Sequence, residues 1–256
     1  MKKILSIFIL FLATTIVTNA TEIKFVQVDS TRFFANSDIS VSNFKTLIKN
    51  INQMKNVSFV LFSGDNLAVQ SQANLKSFIK NADKLNVPYC IALGHKDVNK
   101  KKGLSKEQYA KLVRKHSLGV NDSLNYVFTK KGVVFVVADG SKEVIATPFG
   151  YYKEDIINWI DKELTKYSKK NVIILQHFPV YPPAQQESYY TFKADLYMQM
   201  LSKHSNVRAI VSGFKINSEL DVDGIKHITT AEYPQYRIIE IFDCETNNPT
   251  IWSTLK

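Results

Sequence analysis

Short runs of branched and aromatic residues alternate with amphipathic helical patterns along most of this 256-residue chain. The first three runs cover 23–28, 57–62 and 87–93, with helical spacing between them at 40–55 and around 75–79. Parallel strands require a long crossover connection, which is usually a helix. The first part of the chain therefore predicts a βαβαβ unit with three parallel strands in one sheet.

The rest of the chain continues the alternation but is richer in strands. Helices are predicted near 105–115, at 152–167 and near 193–203, and a hairpin is predicted to turn at Lys131-Gly132. Strand-then-loop units are predicted at 171–178 and 206–214, and four short strands at 217–222, 225–230, 235–241 and 250–254. This order predicts an α/β protein with two sheets covered by helices.

The first twenty residues have the features of a secretory signal peptide. A lysine pair precedes an apolar run from Ile4 to about Ala13, and small and polar residues then lead to Ala20. We predict cleavage after Ala20, with an uncleaved anchor as the alternative. The mature chain, 21–256, is predicted to be a single exported domain, periplasmic or secreted, without a later membrane span.

The charge of the chain favours anionic partners without choosing among them. The formal net charge is +10, or +8 once Lys2 and Lys3 leave with the signal peptide. No interleaving of basic and aromatic residues indicates a nucleic-acid groove. The only cysteines are Cys90 and Cys244, which excludes a disulfide-rich scaffold. Cys90 falls inside an apolar strand pattern, which favours a buried thiol, and whether the two cysteines pair stays open.

Polar residues collect where the predicted strands end. The sequences after the first, second, third, sixth and seventh strands read VDSTR, SGDN, GHKD, QHFP and SGFKIN. Ligands of open α/β sheets gather at the carboxyl ends of strands, because the loops there converge on a rigid support. We therefore predict the functional site among these five loops.

This series of strand ends resembles the calcineurin-like metallophosphoesterase superfamily. In that family the strand ends read D-x-H, G-D, G-N-H-[DE], H and G-H-x-H, and they hold two metal ions that share the G-D carboxylate. The stretch EDIINWIDKEL also resembles the usual Trp-Leu helix of the family. The resemblance implies a four-layer αββα sandwich, in which two mixed β-sheets are flanked by helices, and a phosphate ester as the substrate class.

The resemblance implies one set of three metal ligands. SGDN keeps the shared carboxylate as Asp65, and QHFP keeps the ligand histidine as His177. GHKD places His95 in the slot of the asparagine ligand and Lys96 in the slot of the substrate-facing histidine. Two histidines and a carboxylate with an open fourth position suit one divalent ion, either zinc or manganese.

The slots of the first ion have been replaced. Ser30, Arg32 and Ile216 fill three of its four positions, so that only Asp65 remains, and Phe214 fills the fourth position of the second ion beside Asp65, His95 and His177. A one-residue slip would bring Asp29 into play, but this requires a bulge. A guanidinium cannot donate a lone pair to a metal. Arg32 is therefore predicted to replace the ion, either by pairing with Asp65 or by presenting a planar fork to an oxyanion.

Each ligand also has a purely structural explanation. His177 is consistent with a core histidine bonded to the backbone, His95 with a loop histidine, and Asp65 with the cap of the following helix. Their joint placement at adjacent strand ends favours a site.

Three functions remain open from the sequence. The first is a pseudoenzyme that binds an anionic, phosphate-like ligand or a protein partner through Arg32 and Lys96. The second is a hydrolase with one ion on Asp65, His95 and His177, in which Arg32 and Lys96 contact the phosphoryl oxygens. The third is an exported structural or interaction protein whose cleft has no role.

Overall fold

The computed structural model describes residues 22–144, 147, 149–186 and 191–256. The predicted signal peptide, 1–20, lies outside these ranges, so export stays a prediction. None of the helices in the described ranges combines the length and the apolar character that a bilayer crossing requires.

The described residues form eleven strands, five α-helices and two short 3₁₀ turns. In chain order the elements are β1 (Ile23–Val28), α1 (Asp38–Asn52), β2 (Phe59–Phe62), α2 (Gln72–Ala82), β3 (Tyr89–Ile91), a 3₁₀ turn (Lys100–Lys102), α3 (Lys106–Val113), β4 (Tyr126–Lys130), β5 (Val133–Val137), α4 (Glu154–Lys166), β6 (Val172–Gln176), a 3₁₀ turn (Pro183–Gln185), α5 (Asp195–Leu201), β7 (Val207–Ser212), β8 (Ser218–Val222), β9 (Ile225–Thr229), β10 (Tyr236–Phe242) and β11 (Thr250–Leu255). The helices and strands predicted from the sequence appear in the predicted order, with boundaries that shift by a few residues at most.

The strands form two mixed sheets, which confirms the predicted α/β class. The first sheet has the order β11-β10-β1-β2-β3. Strands β1, β2 and β3 are parallel to one another, and β10 is antiparallel to both of its neighbours, β1 and β11. The second has the order β4-β5-β6-β7-β9-β8, with a parallel centre and antiparallel edges. The β4–β5 hairpin turns at Lys131 and Gly132, whose φ values of 43° and 82° suit the primed turns that such hairpins use.

The two sheets pack face to face through buried aromatic side chains. The ring of Phe135 on β5 lies 6.0 Å from Phe25 on β1 and 5.1 Å from Phe59 on β2. All three side chains are fully buried. Burying each ring contributes about 1.5–3 kcal/mol, which holds the sheets in one fixed relation.

Helices cover both outer faces and complete the predicted αββα sandwich. Phe44 on α1 and Phe78 on α2 pack against Phe62 on β2, at ring distances of 5.8 and 5.2 Å. On the other side, Ile160 of α4 and Tyr197 of α5 belong to the cluster that covers the second sheet. Because both sheets direct their parallel strands the same way along the sandwich, their carboxyl ends meet at one edge.

The two cysteines are separate buried thiols. Cys90 lies in β3 within the core of the first sheet, and burial raises the pKa of its thiol. The buried free thiol predicted for Cys90 is confirmed.

Candidate metal centre

Five strand-end loops meet at the common edge of the two sheets. The backbone N–H of Ser30 donates to the Gly64 carbonyl at 2.9 Å, which joins the loops after β1 and β2. The N–H of Gly213 donates to the His177 carbonyl at 3.0 Å, which joins the loops after β6 and β7. These backbone bonds bring together the loops in which the sequence predicts a site.

The backbone at this edge is held in an uncommon conformation. Ser30, Arg32, Asp65 and Phe214 have φ values of 50°, 44°, 51° and 85°. Positive φ costs energy for residues with a side chain, and such residues cluster at functional sites, where the surrounding structure holds them. The local conformation therefore gives independent support for a site at these loops.

Asp65, His95 and His177 form a compact cluster of ligand atoms. His95 Nδ1 lies 3.0 Å from Asp65 Oδ2, and His177 Nε2 lies 3.6 Å from Asp65 Oδ1. One ligand atom of each residue lies within 4.8 Å of the other two. Ligands on one tetrahedral zinc ion are about 3.4 Å apart, given bonds of about 2.1 Å. The separations of the cluster suit one ion.

The two imidazole nitrogens that face Asp65 contact its carboxylate without forming well-aligned hydrogen bonds. Within the described residues, neither His95 Nδ1 nor His177 Nε2 has a well-aligned partner, although both atoms are shielded from solvent. Buried polar atoms are nearly always paired, because an unpaired group loses its hydration without compensation. Lone pairs from two imidazoles beside a carboxylate form the donor set that divalent zinc-like ions prefer. The residues fit such an ion.

The charges of the cluster hold Asp65 ionised. Burial alone would raise the pKa of Asp65, but the imidazoles of His177 and His95 and the N–H of Lys96 lower it to about 2. Burial would lower the pKa of His177, whereas the nearby carboxylates of Asp29 and Asp65 raise it to about 9. Without an ion, a proton on His177 therefore balances the negative charge of Asp65, and an ion has to displace that proton.

Asp97 fixes the two loops that carry Asp65 and His95. Its fully buried carboxylate accepts hydrogen bonds from the backbone N–H of Gly94 at 2.8 Å and of Leu67 at 3.0 Å. Burial and the nearby Asp65 raise the pKa of Asp97 to about 7. This residue is absent from the predicted site residues, although it stands in the acidic position of the GHKD loop and could have been found there.

Two glycines leave room for the ligands. A β-carbon on Gly94 would lie 2.1 Å from the backbone nitrogen of Asp65 and 2.3 Å from its Oδ1. A β-carbon on Gly64 would lie 2.5 Å from Nδ1 of His177. The ligands can approach one another this closely because Gly64 and Gly94 carry no side chain.

The structural explanations of the three ligands account for only part of what is seen. The cap of α2 is Ser71, so Asp65 does not cap that helix. His177 Nδ1 does bond the backbone, at 2.8 Å from the Ser63 carbonyl, but its Nε2 points to Asp65. The joint placement expected from the sequence is therefore present in the structure.

A model of the calcineurin-like phosphoesterases matches residues 32–213, which is more than half of the chain. This chain belongs to the calcineurin-like phosphoesterase family. No curated protein sequence matches it closely enough to add a relative.

Solved structures show the same fold at low sequence identity. A dimetal phosphatase from Danio rerio is 14% identical with a TM-score of 0.67, over 90% of this chain and 98% of that one. Purple acid phosphatase PPD1 from yellow lupin seeds is 13% identical with a TM-score of 0.63, over 90% of this chain and 51% of that one. GAP50, the anchor in the inner membrane complex of Plasmodium, is 16% identical with a TM-score of 0.53, over 91% of this chain and 88% of that one.

This member of the family differs from the sequence-based placement at the end of β1. The position-by-position resemblance puts Ser30 in the slot of the first aspartate, but the carboxylate of Asp29 occupies that side of the cluster, 3.2 Å from His177 Nδ1. Asp29 continues the strand face of Phe25, which packs on Phe135 of the second sheet, so regular alternation directs it toward His177 without a bulge. Ser30 instead donates its hydroxyl to Asp29 at 2.7 Å. The one-residue slip, the alternative that the sequence leaves open, is the arrangement observed.

The two predicted anion contacts differ in their surroundings. Arg32 pairs with Glu232 at the exposed rim instead of with Asp65, and 41% of its side chain is exposed. Lys96 is half-buried directly after His95, and its N–H donates to Asp65 Oδ1 at 2.8 Å. No carboxylate of the described residues lies within ion-pair distance of the Lys96 ammonium group. Of these two side chains, only Arg32 is paired with a carboxylate among the described residues.

Aromatic rings close one side of the cluster. Phe214 is buried, and its ring lies 5.6 Å from His177 and 6.0 Å from His95. Phe178 lies 4.7 Å from the His177 ring. Phe214 therefore leaves this side of the cluster apolar, as its place in a ligand slot of the second ion predicted, and Asp65, His95 and His177 are the candidate ligands for one ion.

Proposed function

We propose that this protein is a phosphoesterase that hydrolyses phosphate esters with one divalent ion, held by Asp65, His95 and His177. The observation that carries the proposal is the pair of buried imidazole nitrogens that face one ionised carboxylate without well-aligned hydrogen bonds. Left without a ligand, these atoms cost free energy. An ion would offset that cost and leave one coordination position open for a phosphoryl oxygen or water.

The chain's own groups divide the remaining tasks. A divalent ion in the cluster would supply electrophilic activation of the phosphoryl group. Lys96 contributes a positive charge beside the cluster, where it attracts the phosphate dianion and stabilises charge on its oxygens. Phe178 and Phe214 exclude water from one side, which strengthens these electrostatic contacts. Arg32 contributes less, because Glu232 already neutralises it.

A phosphate-binding pseudoenzyme is the second candidate, and one observation favours it. Ligand positions of both ions of the family have been lost, because Phe214 fills one slot of the second ion and the carboxylate of Asp29 is fully hydrogen-bonded within the protein. The same fold occurs in a dimetal phosphatase and in a protein described as an anchor, so the fold does not choose between catalysis and binding. Binding through Lys96 would survive even if hydrolysis did not.

Metal analysis and an activity assay on the mature, untagged chain separate the candidates. We expect about one zinc or manganese ion per chain, and hydrolysis of an aryl phosphate that requires the added ion. Bound ion without hydrolysis above background would favour the pseudoenzyme. A chain that holds no ion from solutions of either metal would refute the proposed function.

Replacing Lys96 by glutamine tests the role of its charge. We expect inorganic phosphate to bind about tenfold more weakly, because a contact to a charged group is worth about 1.5–3 kcal/mol. Zinc affinity should not fall, since Lys96 supplies only its backbone N–H to Asp65. Arg32→Gln should have a smaller effect on phosphate binding, and Lys101→Gln, in the exposed 3₁₀ turn, serves as the control. Equal losses in all three variants would show that only the net charge matters.

A further inference from the structure

The carboxylate of Asp29 is fully buried and receives four hydrogen-bond contacts. Its Oδ1 is approached by the Ser63 hydroxyl at 2.8 Å and by His177 Nδ1 at 3.2 Å. Its Oδ2 accepts from the Ser30 hydroxyl at 2.7 Å and from the N–H of Phe214 at 3.1 Å. With two donors on each oxygen, the acceptor capacity of this carboxylate is used inside the protein.

The His177 ring lies between this carboxylate and the ion-binding cluster. Nδ1 faces the Ser63 carbonyl at 2.8 Å and Asp29 at 3.2 Å, both of which are acceptors. Two acceptors keep a proton on Nδ1, so that Nε2 is the nitrogen whose lone pair is available. Nε2 is the atom that faces Asp65. The hydrogen bonds at Nδ1 thus determine that the lone pair of Nε2 faces the ion-binding cluster.

The close packing around Asp29 keeps it from moving toward an ion. A β-carbon on Gly213 would lie 1.6 Å from Asp29 Oδ1, which shows how tightly the backbone of the β7 loop covers the carboxylate. Turning the carboxylate outward would leave Ser63, Ser30 and the N–H of Phe214 without this acceptor in the interior, which costs free energy for each lost partner.

We infer that Asp29 is a positioning residue: it orients His177 so that Nε2 is presented to the ion, and it is not itself a metal ligand. Carboxylate partners of this kind fix the ring and increase its basicity, and their loss typically weakens metal binding about 10- to 100-fold. The inference rests on the proposed single-ion site and adds a residue to it. Asp29, at the end of β1, would then support the binding of the single ion, and no second ion would be needed to explain its position.

The test compares variants of the mature chain by zinc competition titration and by the absorption spectrum of the cobalt-loaded protein. We expect Asp29→Asn to bind zinc about tenfold more weakly, because the amide keeps an acceptor but loses the charge. Asp29→Ala should lose more, up to about 100-fold. The visible bands of cobalt should shift in both variants, since a reoriented imidazole changes the ligand field. Thermal melting of the metal-free proteins identifies variants that fail to fold. If Asp29→Ala fails to fold, the zinc affinity of Asp29→Asn alone tests the inference.

Ser30→Ala is the matched control. It removes a hydrogen bond from the same carboxylate, but from the oxygen opposite to His177. Its zinc affinity should stay within about threefold of the wild type. Full zinc affinity in Asp29→Asn, or an equal loss in Ser30→Ala, would overturn the inference. So would two ions in the wild type with one lost in Asp29→Asn, because Asp29 would then be a ligand. A wild-type chain that binds no ion would instead refute the proposed function itself, and the inference would fall with it.

Discussion

Replacing His177 by alanine is expected to lower zinc affinity strongly. The ring would supply one of the three proposed ligands and is fully buried, so no nearby solvent-exposed group can take its place. Loss of an outer partner of a metal ligand already costs about 10- to 100-fold in affinity, and loss of the ligand itself should exceed about 100-fold. Zinc competition titration measures this change, and elemental analysis should find less than one ion per chain.

His116→Ala is the control that shows whether the loss of any histidine, and not of His177 in particular, lowers zinc affinity. His116 lies outside the five strand-end loops, and its Nδ1 contacts Asp83 at 2.8 Å. We expect the zinc affinity of this variant to match that of the wild type. If the His177 and His116 variants bind zinc equally well, the ion does not use this cluster and the assignment of ligands is wrong.

Replacing Gly94 by alanine should destabilise the fold strongly, because the new side chain would clash with the backbone of a neighbouring loop. The added β-carbon would lie 2.1 Å from the Asp65 backbone nitrogen, and the strand ends have little freedom to separate. Overpacking of this kind costs about 1–3 kcal/mol, and we expect a loss in the free energy of unfolding near the upper end. Zinc affinity should fall as well, because the clash also reaches Asp65 Oδ1 at 2.3 Å.

Gly103→Ala separates crowding from backbone conformation. Gly103 has φ of 92°, and nothing lies within 4 Å of the position that a β-carbon would take there. Only the conformational cost of the left-handed backbone, about 1 kcal/mol, should therefore appear. Urea unfolding of both variants gives the comparison. A Gly94 variant as stable as the Gly103 variant would show that the two loops move apart easily, and the cluster would then be less fixed than its hydrogen bonds indicate.

The elements of this protein and their order along the chain follow from patterns that are local in the sequence. The parallel strands are buried on both faces and read as continuous apolar runs, such as the fully buried Val133–Val137. The helices between them show one apolar face, as in α1, where Phe44, Leu47, Ile48 and Ile51 are buried. Because each element carries its own periodicity, its type and order could be predicted without any long-range contact.

The placement at the end of β1 was wrong because it followed the resemblance and not the strand pattern. The resemblance aligned Ser30 with the first aspartate, whereas Asp29 lies on the same strand face as Phe25 and contacts His177. The pairing of Arg32 with Glu232 joins residues 200 positions apart, which no local pattern reveals. The ligands Asp65, His95 and His177 were accessible because each follows the end of a well-defined strand. The roles of the residues that orient these ligands, such as Asp29 and Asp97, could not be predicted in this way, because these residues act through contacts between loops.

The three ligands come from different halves of the sandwich. Asp65 and His95 follow β2 and β3 of the first sheet, whereas His177 follows β6 of the second. An ion bound between them would bridge the two layers at one end, where the aromatic packing of Phe25, Phe59 and Phe135 gives way to polar loops. Zinc would then cross-link the two sheets in addition to its role in catalysis. The free energy of unfolding of this protein would rise with the concentration of free metal.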